Sequence, residues 1–173
     1  MIMSVSSVWV LVFFSCFLVG SCTNNGFPNN LGKTPPRGWR SWNGFVSNIN
    51  QVLITAQLSP AAERRFSINS TLTSLADLGY NNFGIDDGWE DCGAGVNGSF
   101  HDINGNPLID KTRFPDMRAM VQTAGKQYNL TMGWYMNCCG CATNEHKLSS
   151  PHYEQDARAT ADLGFTGTSR PLI

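Results

Sequence analysis

The sequence predicts an α/β domain in which helices wrap a parallel sheet. Three observations lead there. Helix-like and strand-like segments alternate from Pro35 to Gly167. Two strings, Ala76-Asp77-Leu78-Gly79-Tyr80 and Ala161-Asp162-Leu163-Gly164-Phe165, are nearly the same, and each reads as a helix closing on glycine before a strand. Finally, acids and aromatics gather where the strands are expected to end, and the C-terminal ends of parallel strands open into one crevice.

Taken in order, Pro35-Pro36-Arg37 forces extended backbone into a first strand near Trp39, with Trp42 at its exit. Trp39 is expected in the core. Ser59-Pro60 reads as a helix start, serine capping and proline in the first turn, with Ile68, Leu72, Leu75 and Leu78 at helical spacing and Gly79 as the stop. A strand over 80–85 follows, then a long polar loop over 88–112 with a small hairpin at Asn104-Gly105. Pro115 opens a helix whose Met117, Met120, Val121, Ala124 and Tyr128 share a face. The methionines read as packing. Residues 130–136 alternate like a strand and run into Asn137-Cys138-Cys139-Gly140-Cys141. Ser150-Pro151 caps a further helix to Leu163, and Gly164-Phe165-Thr166-Gly167 opens a fourth strand.

The chain is organised around Phe83-Gly84-Ile85-Asp86-Asp87-Gly88-Trp89, an apolar strand tipped by two carboxylates and an indole. Adjacent acids at the mouth of a buried strand need hydrogen-bond donors. Sugar hydroxyls supply them, and an indole face suits the C–H side of a sugar ring. The plainer alternative is a capping acid beside a solvated one. Trp42, Asp86, Asp87, Trp89, Tyr135 and the cysteine loop all fall at the strand ends. His101 offers no evident partner and reads as a loop residue.

Composition narrows the partner. Charged residues are 14%, aromatic residues 11%, and the net charge is -1. A chain with no basic stripe is a poor match for nucleic acid, whereas a neutral polar ligand such as a carbohydrate fits. The apolar run over 8–19 is short for a membrane span and sits where a secretory signal would, so 1–21 is expected to be a signal peptide, 22–33 a linker and 34–173 the domain. No membrane contact is expected once the signal is removed. Asn69-Ser70-Thr71, Asn97-Gly98-Ser99 and Asn129-Leu130-Thr131 are glycosylation acceptor strings, which agree with secretion. Of six cysteines, removal of Cys16 with the signal leaves Cys22, Cys92, Cys138, Cys139 and Cys141, an odd number that implies a missing partner. A metal or redox centre on Cys138-Cys139-Gly140-Cys141 with His146 and His152 is the weaker reading, because adjacent cysteines close a tetrahedron poorly. No cofactor is expected.

Four strings resemble one family. They are Thr34-Pro35-Pro36-Arg37-Gly38-Trp39-Arg40-Ser41-Trp42-Asn43, Ile85-Asp86-Asp87-Gly88-Trp89, Arg113-Phe114-Pro115-Asp116-Met117 and Gly133-Trp134-Tyr135. In that order and spacing they are similar to the α-galactosidases (melibiases) of glycoside hydrolase family 27, over roughly 34–167. The resemblance implies a (β/α)8 TIM barrel followed by an antiparallel β domain. A barrel takes about 250 residues, so this chain would hold about three βα units and the start of a fourth strand. It implies retaining hydrolysis of terminal α-galactosides, with Asp86 and Asp87 holding sugar hydroxyls and Trp42 and Tyr135 shaping the pocket. Cys141 would bridge to a cysteine after the fourth strand.

The chain also departs from the family pattern. The nucleophile is the Asp of a Lys-x-Asp motif, and Ser169 and Pro171 stand at its Lys and Asp positions. The acid/base Asp would lie beyond Ile173. Gly88 stands where many members have cysteine, with Cys92 nearby. Asp86 and Asp87 are not the catalytic pair, since strand neighbours point to opposite faces. The chain as written is therefore expected to be a fragment that does not hydrolyse glycosides alone. Two alternatives accompany this reading: an α-N-acetylgalactosaminidase of the same family, and a non-catalytic secreted sugar-binding protein.

Overall fold

The computed structural model describes residues 35–136 and 152–169. Their order is β1 (Gly38–Arg40), α1 (Trp42–Phe45), α2 (Gln51–Ala62), β2 (Phe66–Ile68), β3 (Thr71–Thr73), β4 (Asn82–Ile85), a 3-10 turn (Val96–Gly98), α3 (Met117–Tyr128), β5 (Thr131–Tyr135), α4 (Tyr153–Leu163) and β6 (Gly167–Ser169). Strands β1, β4, β5 and β6 form one parallel sheet in that spatial order. The expected α/β class with a parallel sheet is what the chain adopts.

Alternation along the strands gives the sheet two different faces. Phe83 pairs with Met132 and Ile85 with Trp134, and all four are buried. They join Met117, Met120, Val121 and Ala124 of α3 in the core, where the methionines pack as the sequence predicts. Trp39 is half-buried against this core, its ring 5.6 Å from that of Phe83. On the other face Arg40 pairs with Gly84, Gly84 with Gly133, and Gly133 with Gly167. Three glycines beside one arginine form a lane with no side chains of its own.

The helix expected from Ser59-Pro60 to Gly79 is not there. Helix α2 starts at Gln51, because the Asn50 side chain accepts the Leu53 N–H at 2.8 Å and caps it. Pro60 lies in its last turn, removes a ladder hydrogen bond, and the helix ends two residues later. The following segment folds as the antiparallel hairpin β2–β3, with Asn69 and Ser70 both at positive φ in its two-residue turn. Aromatic, β-branched and threonine residues there favour strand over helix. Ile68, Leu72, Leu75 and Leu78 are consequently exposed. What remains of the expected helix is one turn, where Ser74 and Asp77 cap each other reciprocally before Gly79 reverses the chain at φ +85°. The second copy of the repeat behaves as predicted: Gly164 caps α4 in the left-handed region.

Asn104-Gly105 does turn the chain: Asp102 Oδ1 accepts the Asn104 and Asn106 N–H groups, and His101 pairs with Pro107 across the turn.

Candidate functional site

The site grows from the exits of β1, β4 and β5. Ser41, fully buried, ties the first two together. Its N–H donates to the Gly84 carbonyl at 3.2 Å, and its Oγ accepts the Asp86 N–H at 2.9 Å. Trp42 follows at once as the first residue of α1 and is 41% exposed, available to a ligand. Asp86 continues the row of Gly84, and Tyr135 continues the row of Gly133. Because Gly84 and Gly133 are register partners, Asp86 and Tyr135 leave the sheet side by side on the glycine face. Both are half-buried.

Arg40 lies on the same face. A Cβ added at Gly84 would come 2.3 Å from its Nη1, and one at Gly133 would come 3.5 Å from its Nη2, so the guanidinium runs along the glycine lane. Burial lowers its pKa, and the charge of Asp86 works against that shift. The lane has a signature in the sequence. Gly84-Ile85-Asp86, Gly133-Trp134-Tyr135 and Gly167-Thr168-Ser169 each place glycine two residues before a polar residue at or just past the strand's end.

Asp87 turns toward Glu90. Its N–H donates to Asp86 Oδ1 at 3.0 Å, and Glu90 Oε2 accepts the Gly88 N–H at 2.8 Å. Glu90 is only 6% exposed. Desolvation, then the charge of Asp87, pushes its carboxyl up to about 8. Gly88 carries φ +108°, and a Cβ there would come 2.3 Å from the Ser47 carbonyl oxygen. Only glycine meets both conditions.

Trp89 does not line the crevice as the sequence suggested. It is 0% exposed and packs at 4.4 Å from the Trp134 ring and 5.4 Å from the Phe100 ring. Its Nε1–H donates to the Tyr135 carbonyl at 2.7 Å, so it fixes the strand end from behind. An apolar indole with its one donor satisfied gains more from the core than from the mouth. His101 is also corrected. It is 2% exposed, and its Nε2 lies 3.0 Å from Oδ1 of Asp156 on α4. No short-range signal links two residues so far apart in the chain.

Cys141 and Pro171 lie outside the described residues, as do Cys138, Cys139, His146 and the segment 1–21. Cys92 is disulfide-bonded. Asn69, Asn97 and Asn129 are exposed, and all three adopt positive φ. Asparagine tolerates that region better than most residues, so each has a conformational reason to be there besides any glycan.

A parallel α/β sheet that offers paired carboxylates and aromatic side chains at adjacent strand ends has the makings of a carbohydrate site. Comparison with known proteins makes the relationship specific. No family model matches the chain. It is 31% identical over 140 residues to an alpha-galactosidase of Oryza sativa subsp. japonica, which covers 80% of this chain and 30% of that protein. The crystal structure of alpha-galactosidase I from Mortierella vinacea superposes with a TM-score of 0.62 at 27% identity, covering 83% of this chain and 32% of that one. The alpha-galactosidase of Saccharomyces cerevisiae solved with raffinose shares the fold, with a TM-score of 0.56 at 21% identity over 81% of this chain and 27% of that one. The chain is a relative of the α-galactosidases and spans about 30% of the length of the curated proteins it matches.

Proposed function

We propose that residues 34–173 form the first three βα units and the opening fourth strand of a (β/α)8 barrel, and that they supply the galactose-binding wall of an α-galactosidase. The whole protein's reaction is retaining hydrolysis of terminal α-galactosides. In that chemistry one carboxylate attacks the anomeric carbon and another protonates the leaving oxygen from about 5 Å away. Asp86 and Asp87 are assigned to the sugar hydroxyls instead, as acceptors, with Trp42 and Tyr135 bounding the ring and Cys141 on the adjacent loop. The observation that carries the reading is the register that sets Asp86 beside Tyr135 at the exits of β4 and β5. Raffinose, the ligand of the yeast structure, carries a terminal galactoside and fits the same expectation.

The protein is further proposed to be secreted after removal of 1–21, with Asn69, Asn97 and Asn129 as glycan acceptors. The disulfide at Cys92 supports an oxidising compartment.

Calorimetric titration with galactose tests the reading. Binding is expected, and Asp87→Asn should weaken it by about tenfold to a hundredfold, the worth of a hydrogen bond to a charged acceptor. N-acetylgalactosamine titrated in parallel distinguishes the neighbouring specificity. Equal affinity of Asp86→Asn, Asp87→Asn and the unaltered chain would remove both acids from the site.

A further inference from the structure

We propose that Glu90 is a positioning residue for Asp87: a neutral Glu90 carboxyl donates the proton on its Oε1 to the Asp87 carboxylate and holds it at the strand end. The sugar-binding consequence rests on the function proposed above, whereas the shared proton does not need a sugar.

The geometry leaves little choice. Glu90 Oε2 already accepts the Gly88 N–H at 2.8 Å. Oε1 is buried, and no N–H or hydroxyl donor reaches it among the described residues. Beyond the effect of burial, the Asp87 side chain lies close enough to the Glu90 carboxyl for its charge to push the Glu90 pKa up, and two carboxylic groups that close favour one proton between them. Of the two, Glu90 is buried and Asp87 half-buried, so the proton belongs on Glu90 and the charge on Asp87. The approach is enforced by the backbone. Gly88 sits at φ +108° against the Ser47 carbonyl, Glu90 pairs with Ile109, and the Asp91 N–H donates to the Leu108 carbonyl. These contacts hold the backbone on which Glu90 approaches Asp87.

The other charged groups of the surrounding elements are occupied elsewhere. Asp86 faces Arg40. Asp110 accepts the Thr112 and Arg113 N–H groups. Arg113 donates to the Ser47 carbonyl, Asp91 is exposed, and Cys92 is in a disulfide. Among the described residues the charge that acts on Glu90 is that of Asp87, which with burial keeps the proton in place up to about pH 8. Above that, two carboxylates face each other, and the proton that joins Glu90 to Asp87 is gone.

Two measurements on the unaltered chain and on Glu90→Gln decide the matter. Infrared difference spectra across a pH titration should show a carboxylic-acid carbonyl band that disappears near pH 8 in the unaltered chain and is missing from Glu90→Gln. Absence of that band from the unaltered chain at neutral pH, or its persistence in the variant, overturns the proposal. Galactose affinity should fall about tenfold between pH 7 and pH 9 as the protonated fraction falls. In Glu90→Gln that fall should vanish, because an amide donates at every pH. Parallel pH profiles in the two proteins would also overturn it. If the unaltered chain binds no galactose at any pH, the proposed function fails, and the infrared band alone decides whether the pair shares its proton.

Discussion

A buried carboxyl group loses less solvation by keeping its proton than by ionising, and at Glu90 this has a consequence for stability. In the unfolded chain Glu90 ionises at its ordinary value, whereas in the fold it stays protonated to about pH 8. Its contribution is therefore fully present below the unfolded value and is lost as pH rises through the folded one. Glu90→Gln has no such proton to surrender. The variant should be about as stable as the unaltered chain below the ordinary glutamate value and exceed it increasingly up to about pH 8, by on the order of a few kcal/mol. Melting curves over that range check this, and a difference that does not change with pH would contradict it. Asp86 and Asp87 were legible in the sequence because an acid at a strand end is unusual by itself. Glu90 was not. Its backbone is placed by the pairing with Ile109 and the Ser47–Gly88 approach, which join parts of the chain that no local pattern connects.

Between elements, the glycine lane is what gives Arg40 its place. A methyl group at Gly84 would meet Cδ, Cζ and Nη1 of Arg40 inside 3 Å, so the arginine must leave the lane or the strands must part. Gly84→Ala should cost about 1–3 kcal/mol by denaturant unfolding, as overpacking does. Placed on an Arg40→Ala background the same change should cost much less, and a double-mutant cycle reads the difference as coupling. Additive effects would mean that the two residues do not share the lane. Where elements were misread, the cause was periodicity without context. Ile68, Leu72, Leu75 and Leu78 match a helix in spacing, but the Asn69-Ser70 turn and the Thr71-Leu72-Thr73 strand lie between them. The helix over 117–128 was legible because Pro115 and the apolar face agree, and the structure adds the Asp116 cap and the stop at Asn129.

Across the whole molecule, the long loop after β4 determines whether the strand ends hold their shape. Trp89 pins its start to the Tyr135 carbonyl, and His101 pins its middle to α4 through Asp156. The alternation of helix and strand was enough to infer the parallel sheet and to place the acids at one end of it. It could not supply these ties, since His101 and Asp156 belong to different βα units and meet only in the folded chain. Both residues are nearly inaccessible, at 2% and 5% exposure, so each is poorly solvated if the other is removed. Asp156→Ala should then destabilise the fold by about 2–5 kcal/mol, because a buried polar ring loses its carboxylate contact. That corresponds to a melting point lower by roughly 5–15 °C for a chain of this size. The loss should also be directional. Hydrogen exchange ought to quicken in the loop over 96–108 and in the first turns of α4, while the amides of β4 and β5 keep their protection relative to global unfolding. Uniform acceleration across the sheet would show instead that the pair supports the core as a whole, and would leave the Trp89 contact as the tie on which the strand ends depend.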